Sequence, residues 1–530
     1  MSDHLPQQTW GTRVGVILAV TGSAVGLGNF LRFPGLAAKY EGGAFMIPYF
    51  VAFLLLGLPL AWAEWATGRY GGSRGFHSGV GIYRTILPRP ISSAFGTLAL
   101  IVPVVIYMYY VFIEAWCLGY AWHMLSGGLD LGGDQQKYLE FFDRFVGSSG
   151  ARTAFMESGG MLGFLACCVL LNLWIMYRGL TKGIEWCCRW AMPALVVCAL
   201  VVLVRVLSLG TPNPDRPDWN LLNGLGFMWN PQTERVGFWE SLLNGQMWME
   251  AAGQIFFSLG VGFGIIVTYS SYLKPDDDVA LSGLTAAAGN EFCEVALGGL
   301  ITIPAAFVFL GPDAVLEVAG STFNLGFKTL PMVFQAMPLG GVVGALFFFL
   351  LFLAALTSSV AMVQPAIALF EEGLGLRRRG ALGLLALITV SGTGFVVFGS
   401  QDLVALNTLD FWVGTLGIYL VAAFQAILFG WVLGIDRGMQ ELDRGAEIRI
   451  PRVFGFVIKY VSPSYLLIVF GLWLYQQLAT GGNQLQALRE DRWVQVSVGF
   501  IVFVACLLGA IVRRSVSRWQ EASREGEKAL

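Results

Sequence analysis

The chain has 530 residues, of which 56% are hydrophobic and 13% charged, and its mean hydropathy is +0.65. These values exclude a soluble globular protein and indicate a chain that crosses a membrane many times. With a formal net charge of -2 and its charges in short loops, the chain presents no basic face, so nucleic-acid binding is excluded.

Long apolar segments predict the fold class. Counting windows of about 20 apolar residues as spans gives an all-α polytopic membrane protein with about 12 transmembrane helices. Arginine and lysine are concentrated in the loops on one side, so the positive-inside rule places those loops and both termini in the cytoplasm. The chain has no Asn-x-Ser/Thr sequon, which favours a bacterial inner-membrane protein over a glycosylated eukaryotic one.

The first predicted span contains the stretch Gly22–Pro34, which is poorly suited to an uninterrupted membrane helix. It carries three glycines in seven residues, followed by Asn29, Arg32 and Pro34. Glycine is costly inside a helix and exposes the backbone. We therefore expect a helix broken near mid-membrane, with amides and carbonyls that protein, ions, water or a ligand must satisfy.

The sixth predicted span repeats this pattern in the stretch Gln254–Gly264, where closely spaced glycines again interrupt an apolar helix. Two such segments in corresponding positions of two halves indicate a midplane site between repeats. Each break opens a group of five spans, and because five is odd the second group is expected to have inverted topology. Taken alone, each group of glycines also fits tight helix packing.

These features give the predicted organisation of the chain. A cytoplasmic segment at 1–12 precedes a first five-helix repeat at 13–210, and the second, inverted repeat lies at 239–432. Helices 11 and 12 are expected at 453–513. Residues 514–530 are expected to form a charged, frayed cytoplasmic tail.

A broken helix presents free amides on one half and free carbonyls on the other, which suits a zwitterion together with an alkali cation. Hard cations prefer oxygen ligands. Oxygen-bearing side chains lie in suitable places in spans one, six, seven and eight: Asn29, Ser258, Asn290, Thr357, Ser358 and Ser359. Taken singly, each hydroxyl also fits a hydrogen bond between helices.

Ionisable residues predicted inside the membrane are functional hypotheses by default. They are Arg32, Glu64, Glu114, Glu294 and Asp410. Arg32 and Asp410 lie toward the same outer side, where a direct or water-bridged pair would latch a vestibule. Glu64 and Glu114 also fit buried, paired helix residues.

No His-Glu-x-x-His, Gly-x-Ser-x-Gly or phosphate-loop pattern occurs in the sequence. The chain therefore carries no machinery for an intramembrane hydrolase or an ATP-driven pump, and no catalytic residue is predicted.

Seven motifs spread over nearly the whole chain resemble the bacterial branch of the neurotransmitter:sodium symporter family. They are Gly22–Pro34, Glu64-Trp65 with Gly68–Gly72, Tyr109–Trp116, Gln254–Gly264, Leu281–Thr285, Thr357–Pro365 and Asp410–Gly417. The resemblance implies two sodium sites. The first would use Ala24, Asn29, Ser258, Asn290 and the substrate carboxylate; the second would use carbonyls of Gly22, Val25 and Ala354 with the hydroxyls of Thr357 and Ser358.

The resemblance also implies substrate and gate positions. The substrate would meet Ala24, Gly26, Gly28, Ile106, Tyr110, Phe257, Ser258, Gly260, Phe263, Ser358, Ser359 and Met362. The outer gate would be Tyr110 and Phe257 below Arg32 and Asp410, and the inner gate would include Trp10, Ser271, Tyr272 and Glu372. One position departs from the family, because Gln7 stands where relatives have the inner-gate arginine, and the next basic residue is Arg13.

Three positions refine what the resemblance implies. Gly26 stands where monoamine carriers have an aspartate, so the substrate is expected to supply its own carboxylate, as an amino acid does. Glu294 stands where chloride-dependent relatives have a serine, so a fixed carboxylate would replace the mobile anion. Gly260 stands where a close relative has a serine, which removes side-chain volume from the wall of an apolar, aromatic pocket, while Ile106 and Met362 add some back.

The sequence thus favours a secondary symporter of neutral, aliphatic or aromatic amino acids that is coupled to two sodium ions, with spans one, two, six and seven rocking against a scaffold. The alternatives are a non-transporting amino-acid receptor or sensor on the same fold, and a channel. The sequence leaves open whether the chain forms a homodimer in the lipid bilayer.

Overall fold

The structure is a computed structural model that describes residues 9–40, 42–148, 159–231, 237–479 and 483–529. Every regular element in these ranges is helical, and no strand occurs among them. The all-α membrane fold class predicted from the sequence is confirmed.

Up to 11 helices in the described residues are long and apolar enough to cross a membrane, when one bent pair is counted as a single span. Two shorter helices on either side of a second break complete the set of 12 that the sequence predicts. We number the spans in chain order as Arg13–Ala24 with Gly28–Lys39, Gly43–Gly72, Pro90–Leu125, Gly160–Tyr177, Leu180–Leu207, Gly245–Leu259 with Ile265–Ser270, Val279–Ala319, Gly340–Leu374, Arg378–Phe398, Gln401–Asp443, Arg452–Tyr475 and Arg492–Arg524.

Shorter helices lie in the connections between spans. They are Gly79–Ile86, Gln135–Val146, Leu221–Trp229, Phe238–Leu242 and Asn483–Glu490. The helix of span twelve continues to Ala529, through the region that the sequence analysis assigned to a cytoplasmic tail. Arg518 and Trp519 donate hydrogen bonds to carbonyls of Gly373 and Glu372 at the end of span eight, and these contacts hold the extension in place.

Span one breaks where the sequence predicts. Thr12 caps its first helix by accepting a hydrogen bond from the Gly15 amide at 2.9 Å, and the helix ends at Ala24. Val25 is extended, with φ -68° and ψ 111°, and the chain resumes as a helix at Gly28 after a bend of 51°. At the break the Gly26 amide donates to Asn29 Oδ1 at 2.8 Å instead of to a helix carbonyl, and the carbonyls of Gly22 and Val25 accept from Ser358 Oγ of span eight.

Span six is broken by backbone conformations that glycine adopts easily. Gly260, Gly262 and Gly264 have φ values of 67°, 86° and 73°, in the region that L side chains avoid. The helix therefore ends at Leu259 and restarts at Ile265. The two predicted broken helices are confirmed.

Spans three and eight are long and almost completely enclosed by protein, and they pack along each other. Their buried faces supply large apolar side chains, including Phe112, Trp116 and Phe348. This pair provides a rigid wall against which the broken segments of spans one and six lie.

Candidate functional site

The two breaks face each other across one small cavity, whose volume is about 20 Å3. A space of this size holds about one water molecule, so the walls lie in a closed arrangement. The cavity is lined by Ser23, Ala24, Gly26, Gly28, Asn29, Tyr110, Phe257, Ser258, Gly260, Phe263, Ile265, Ser358 and Met362.

Every substrate position expected from the resemblance lies in this wall except Ile106 and Ser359. Ile106 is buried in the core. The wall also includes Ser23 and Ile265, which the sequence analysis missed. Ile265 directly follows Gly264, so a wider reading of the second break would have included it.

Ser359 belongs to a separate buried polar cluster. Its Oγ lies 2.7 Å from Glu114 Oε2 and 2.8 Å from Asn172 Oδ1. Asn172 Nδ2 also donates to both oxygens of Glu114, at 3.0 and 3.1 Å. Successive residues of a helix point about 100° apart, which explains why Ser358 faces the breaks and Ser359 does not. Glu114 is thus a buried, hydrogen-bonded helix residue, as one interpretation of the sequence held.

The first expected sodium set is assembled around Glu294. Asn29 Nδ2 donates to Asn290 Oδ1 at 2.9 Å and to Glu294 Oε2 at 3.0 Å. Asn290 Nδ2 donates to Ser258 Oγ at 2.7 Å, and Ser258 donates to Glu294. Gln254, which the sequence analysis did not single out, donates to the other Glu294 oxygen at 2.8 Å.

All of these side chains are buried, and together they offer amide, hydroxyl and carboxylate oxygens. Oxygens of this kind are the ligands that hard cations take. The residues therefore fit a sodium ion, and Glu294 supplies a negative charge directly at the set.

The second expected sodium set also converges. Ser358 Oγ lies 3.3 Å from the Gly22 carbonyl, 3.2 Å from that of Val25 and 2.9 Å from that of Ala354. Thr357 Oγ1 lies 3.1 Å from the same Ala354 oxygen. Two hydroxyl hydrogens cannot satisfy all of these carbonyl lone pairs, so the set has surplus acceptors that fit a cation between spans one and eight.

The outer gate residues are held by aromatic partners. The Arg32 guanidinium carbon lies 4.9 Å from the centre of the Phe257 ring, and Tyr109 donates to Asp410 Oδ1 at 2.6 Å. Within the described residues no ion pair of 4.0 Å or less joins Arg32 to Asp410. The direct form of the expected pair is absent from this structure, and the water-bridged form stays a prediction.

Phe257 and Tyr110, the expected outer lid, both line the cavity. A Cβ on Gly28 would lie 3.3 Å from the Phe257 ring, so the ring rests on the first break. The Phe257 and Phe263 ring centres are 6.3 Å apart. The two breaks are thus covered by one aromatic layer.

The expected inner gate residues lie at the opposite end of spans one, six and eight. Trp10 Nε1 donates to the Tyr269 carbonyl at 2.8 Å, which ties the chain before span one to span six. Gln7 lies outside the described residues. Arg13 is engaged elsewhere, with Asp278 at 3.0 Å and Glu447 at 2.5 Å.

Glu372 instead contacts the loop after span two. It accepts hydrogen bonds from the amides of His77 and Ser78, at 2.7 and 3.2 Å, and from the Ser78 hydroxyl. The His77 ring stacks on Tyr272, with ring centres 4.3 Å apart, and burial lowers the pKa of His77 to about 4. The sequence analysis missed this loop, since contacts between distant positions leave no periodic pattern.

Comparisons with known proteins identify the family of this chain. The model of the "Sodium:neurotransmitter symporter family" matches residues 7–138 and 131–516. An uncharacterized sodium-dependent transporter of Methanocaldococcus jannaschii is 28% identical, over 90% of this chain and 92% of its own length. The sodium-dependent serotonin transporter of Drosophila melanogaster is 27% identical, over 88% of this chain and 76% of its own.

A solved structure has the same fold. The crystal structure of MhsT in complex with L-phenylalanine matches with a TM-score of 0.72 and 27% identity, covering 87% of this chain and 99% of that one. The family model extends over most of the chain and includes both breaks, and the relatives are sodium-dependent transporters. This chain is therefore a sodium-dependent membrane transporter that belongs to the sodium:neurotransmitter symporter family.

Proposed function

We propose that the chain is a chloride-independent symporter that moves a neutral aliphatic or aromatic amino acid together with two sodium ions, by alternating access around the closed cavity. It would lie in the inner membrane of a bacterium with both termini in the cytoplasm. Its two five-helix repeats, at 13–210 and 239–432, would each contribute one break to the site.

The observation that carries this proposal is the lack of room for a side chain at Gly26. A Cβ there would lie 2.8 Å from Tyr110 Oη and 3.5 Å from Ser358 Oγ. A carboxylate-bearing side chain at this position would displace the cavity wall. The carboxylate next to the first sodium set is then left for the substrate to supply, and free amides and carbonyls at the breaks suit its charged ends.

The rest of the wall favours an apolar side chain. Phe257, Phe263 and Met362 line the cavity, and a Cβ on Gly260 would have no heavy atom within 4 Å. The structurally similar MhsT was crystallised with L-phenylalanine. A substrate with an aliphatic or aromatic side chain fits this lining best.

Chloride independence follows from the position of Glu294. Its carboxylate accepts hydrogen bonds from Asn29, Ser258 and Gln254. A mobile anion at this place would meet like-charge repulsion from a fixed carboxylate a few ångströms away. The fixed charge balances the first sodium ion, so no chloride is needed.

The second sodium ion would tie span one to span eight. The carbonyls of Gly22 and Val25 belong to the first break, whereas Ala354, Thr357 and Ser358 belong to span eight. Binding of an ion here closes the moving segment against the rigid wall. Loss of the ion on the cytoplasmic side would release it.

The test is uptake into proteoliposomes that contain the purified full chain. A panel of the 20 amino acids is first screened for competition against labelled L-phenylalanine binding, with and without sodium. The best competitor is then followed for accumulation against its gradient, driven by inward sodium, with chloride or gluconate as anion. Sodium-driven accumulation that is equal in both anions is the expected result.

Each other outcome is decisive. Sodium-dependent binding without accumulation would indicate the receptor or sensor, and equilibration without concentration would indicate a channel. An absolute requirement for chloride would overturn the assigned role of Glu294. Preference for an amine that lacks a carboxylate would overturn the argument from Gly26.

A further inference from the structure

The segment Phe76–Ser78, which we call the clasp, connects span two to the helix Gly79–Ile86. It contacts the predicted cytoplasmic ends of three spans that lie far apart in sequence. Each of its three residues makes a different contact, and together they join the end of span six to the end of span eight.

Glu372 lies two residues before the end of span eight at Leu374. Among the described residues, only the clasp donates hydrogen bonds to its carboxylate. Its three donors are the His77 amide at 2.7 Å, the Ser78 amide at 3.2 Å and the Ser78 hydroxyl. All three donors are uncharged. Both amides lie at the start of Gly79–Ile86, where the helix dipole favours a negative group.

The close approach of Glu372 depends on a glycine. A Cβ on Gly81 would lie 3.0 Å from Glu372 Oε1 and 2.3 Å from the Phe76 ring. Any larger residue would therefore push the acid or the ring away. The first turn of Gly79–Ile86 is thus shaped to receive this carboxylate.

His77 continues the contact to span six. Its ring lies parallel to Tyr272, with centres 4.3 Å apart and an interplanar angle of 6°. His77 Nδ1 and Ser271 Oγ are 3.0 Å apart. One residue therefore holds Glu372 through its backbone and the end of span six through its side chain.

The extension of span twelve also packs on the clasp. Phe76 meets the Trp519 ring edge-on, with centres 5.2 Å apart, and Trp519 Nε1 donates to the Glu372 carbonyl at 3.3 Å. The extension of span twelve thereby limits how far the clasp can move away from span eight.

We propose that the clasp is the inner lock of this transporter: His77 and Ser78 hold Glu372 and Tyr272 together while the cavity is closed to the cytoplasm, and these contacts break when it opens. The inference rests on the proposed function, since it assigns the clasp to one step of alternating access. It also explains how the inner end closes although Gln7 stands at the position of the family's arginine.

Uncharged hydrogen-bond donors suit a lock that must open in every transport cycle. Breaking a buried ion pair leaves an uncompensated charge and is strongly unfavourable. The clasp donors are two amides and one hydroxyl, which water can satisfy when the inner vestibule fills. Their individual bonds are modest, so sodium binding at the cavity can decide whether they persist.

The test is hydrogen–deuterium exchange of the purified full chain in sodium or potassium chloride, followed at residues 13–24 of span one. Ser78→Ala removes the hydroxyl donor, and Glu372→Gln weakens the acceptor. Ser78→Thr keeps a hydroxyl and should rescue. The matched controls are Ser73→Ala, whose hydroxyl in the same loop bonds Tyr70 at 2.9 Å and Arg74 at 3.3 Å rather than Glu372, and Glu371→Gln, which loses its ion pair with Arg378.

In sodium, we expect exchange at 13–24 to rise at least fivefold in Ser78→Ala and Glu372→Gln, and to stay within twofold of the parent in the other three variants. In Ser78→Ala and Glu372→Gln, the sodium concentration at which this segment is half-protected from exchange should rise at least threefold. Unchanged exchange in both clasp variants would overturn the lock, as would equal increases in the controls. If sodium protects neither the parent nor any variant from exchange, the proposed function fails. The comparison of Ser78→Ala with Ser78→Thr still tests the clasp in that case.

Discussion

The backbone amide of Gly262 donates a hydrogen bond to Glu64 Oε1 at 2.8 Å, so a carboxylate of span two holds the turn at the second break. Gly262 has φ 86°, and no helical bond is available to it there. Glu64 is buried and belongs to a span that is predicted to move together with span six. One interpretation of the sequence treated Glu64 as a buried, paired helix residue. Its bond to Gly262 shows that it also holds the backbone of the second break.

Glu64→Ala should destabilise the protein by about 1–3 kcal/mol, because the buried Gly262 amide loses its acceptor. Glu64→Gln keeps an acceptor oxygen and should lose about half as much or less. The measurement is the midpoint of thermal unfolding in detergent with saturating sodium, together with uptake. Equal midpoints for Glu64→Ala and the parent would contradict this role.

Glu294→Ser should make transport depend on chloride. The substitution removes the fixed negative charge beside Asn29 and Ser258 while it keeps a hydroxyl at the site. We expect uptake in gluconate to fall at least tenfold and uptake in chloride to recover most of the loss. Glu291→Gln, which changes a neighbouring acid that is bonded to Tyr49, is the control and should not create a chloride requirement.

Gly26→Ala should weaken amino-acid binding by at least tenfold, and Gly26→Asp should weaken it further. A Cβ at this position would lie 2.8 Å from Tyr110 Oη, and an aspartate adds a charge that repels the substrate carboxylate. Equilibrium binding of the labelled substrate in saturating sodium measures the effect. Normal affinity in Gly26→Asp would show that the substrate carboxylate binds elsewhere.

Ser358→Ala should raise the half-saturating sodium concentration of substrate binding by at least fivefold, because a hydroxyl is lost from the second sodium set. Thr389→Ala is the matched control, since its hydroxyl is buried in span nine and, within the described part of the chain, bonds only the Leu385 carbonyl of its own helix, at 2.9 Å. A similar shift in both variants would mean that the effect arises from packing.

Acidification should favour opening toward the cytoplasm through His77. Burial lowers the pKa of His77 to about 4 in the closed form, whereas the ordinary value is 6.5. The groups that face its ring are Ser271 and Tyr272, which directly follow span six, and its amide is bonded to Glu372 from span eight. The lowered pKa means that the closed form has its full stability above pH 6.5 and loses it as the pH falls toward 4.

At pH 5.5 this difference should shift the balance about tenfold, or about 1.4 kcal/mol, toward the open form. The measurement is sodium-dependent protection of residues 13–24 at pH 7.5 and 5.5, corrected for intrinsic exchange. His77→Gln keeps the amide donor but cannot be protonated, so it should respond at least fivefold less. An identical pH response in both proteins would assign the effect to other acids.

The sequence predicts the breaks well, because three glycines with positive φ in span six and an extended Val25 in span one are local backbone properties. The sequence is less informative about which neighbour a given face of a helix contacts. Ser358 and Ser359 are chemically the same and adjacent, yet one faces the breaks and the other faces Glu114.

Contacts between distant loops could not be predicted in this way. Nothing in the sequence near Glu372 indicates that its partners lie at 77 and 78, because 294 or more positions separate them. Likewise, an arginine and an aspartate on one membrane side suggest a pair, but packing places Arg32 over Phe257 and Asp410 against Tyr109.

The helix that begins at Arg492 and continues to Ala529 crosses the whole membrane before Trp519 meets Glu372. It is therefore one continuous helix with an end on each face of the protein. A displacement of its C-terminal end reaches the inner lock without passing through either broken span. A binding partner, an antibody or a fused reporter at that end would act on the lock mechanically, even though it never approaches the substrate.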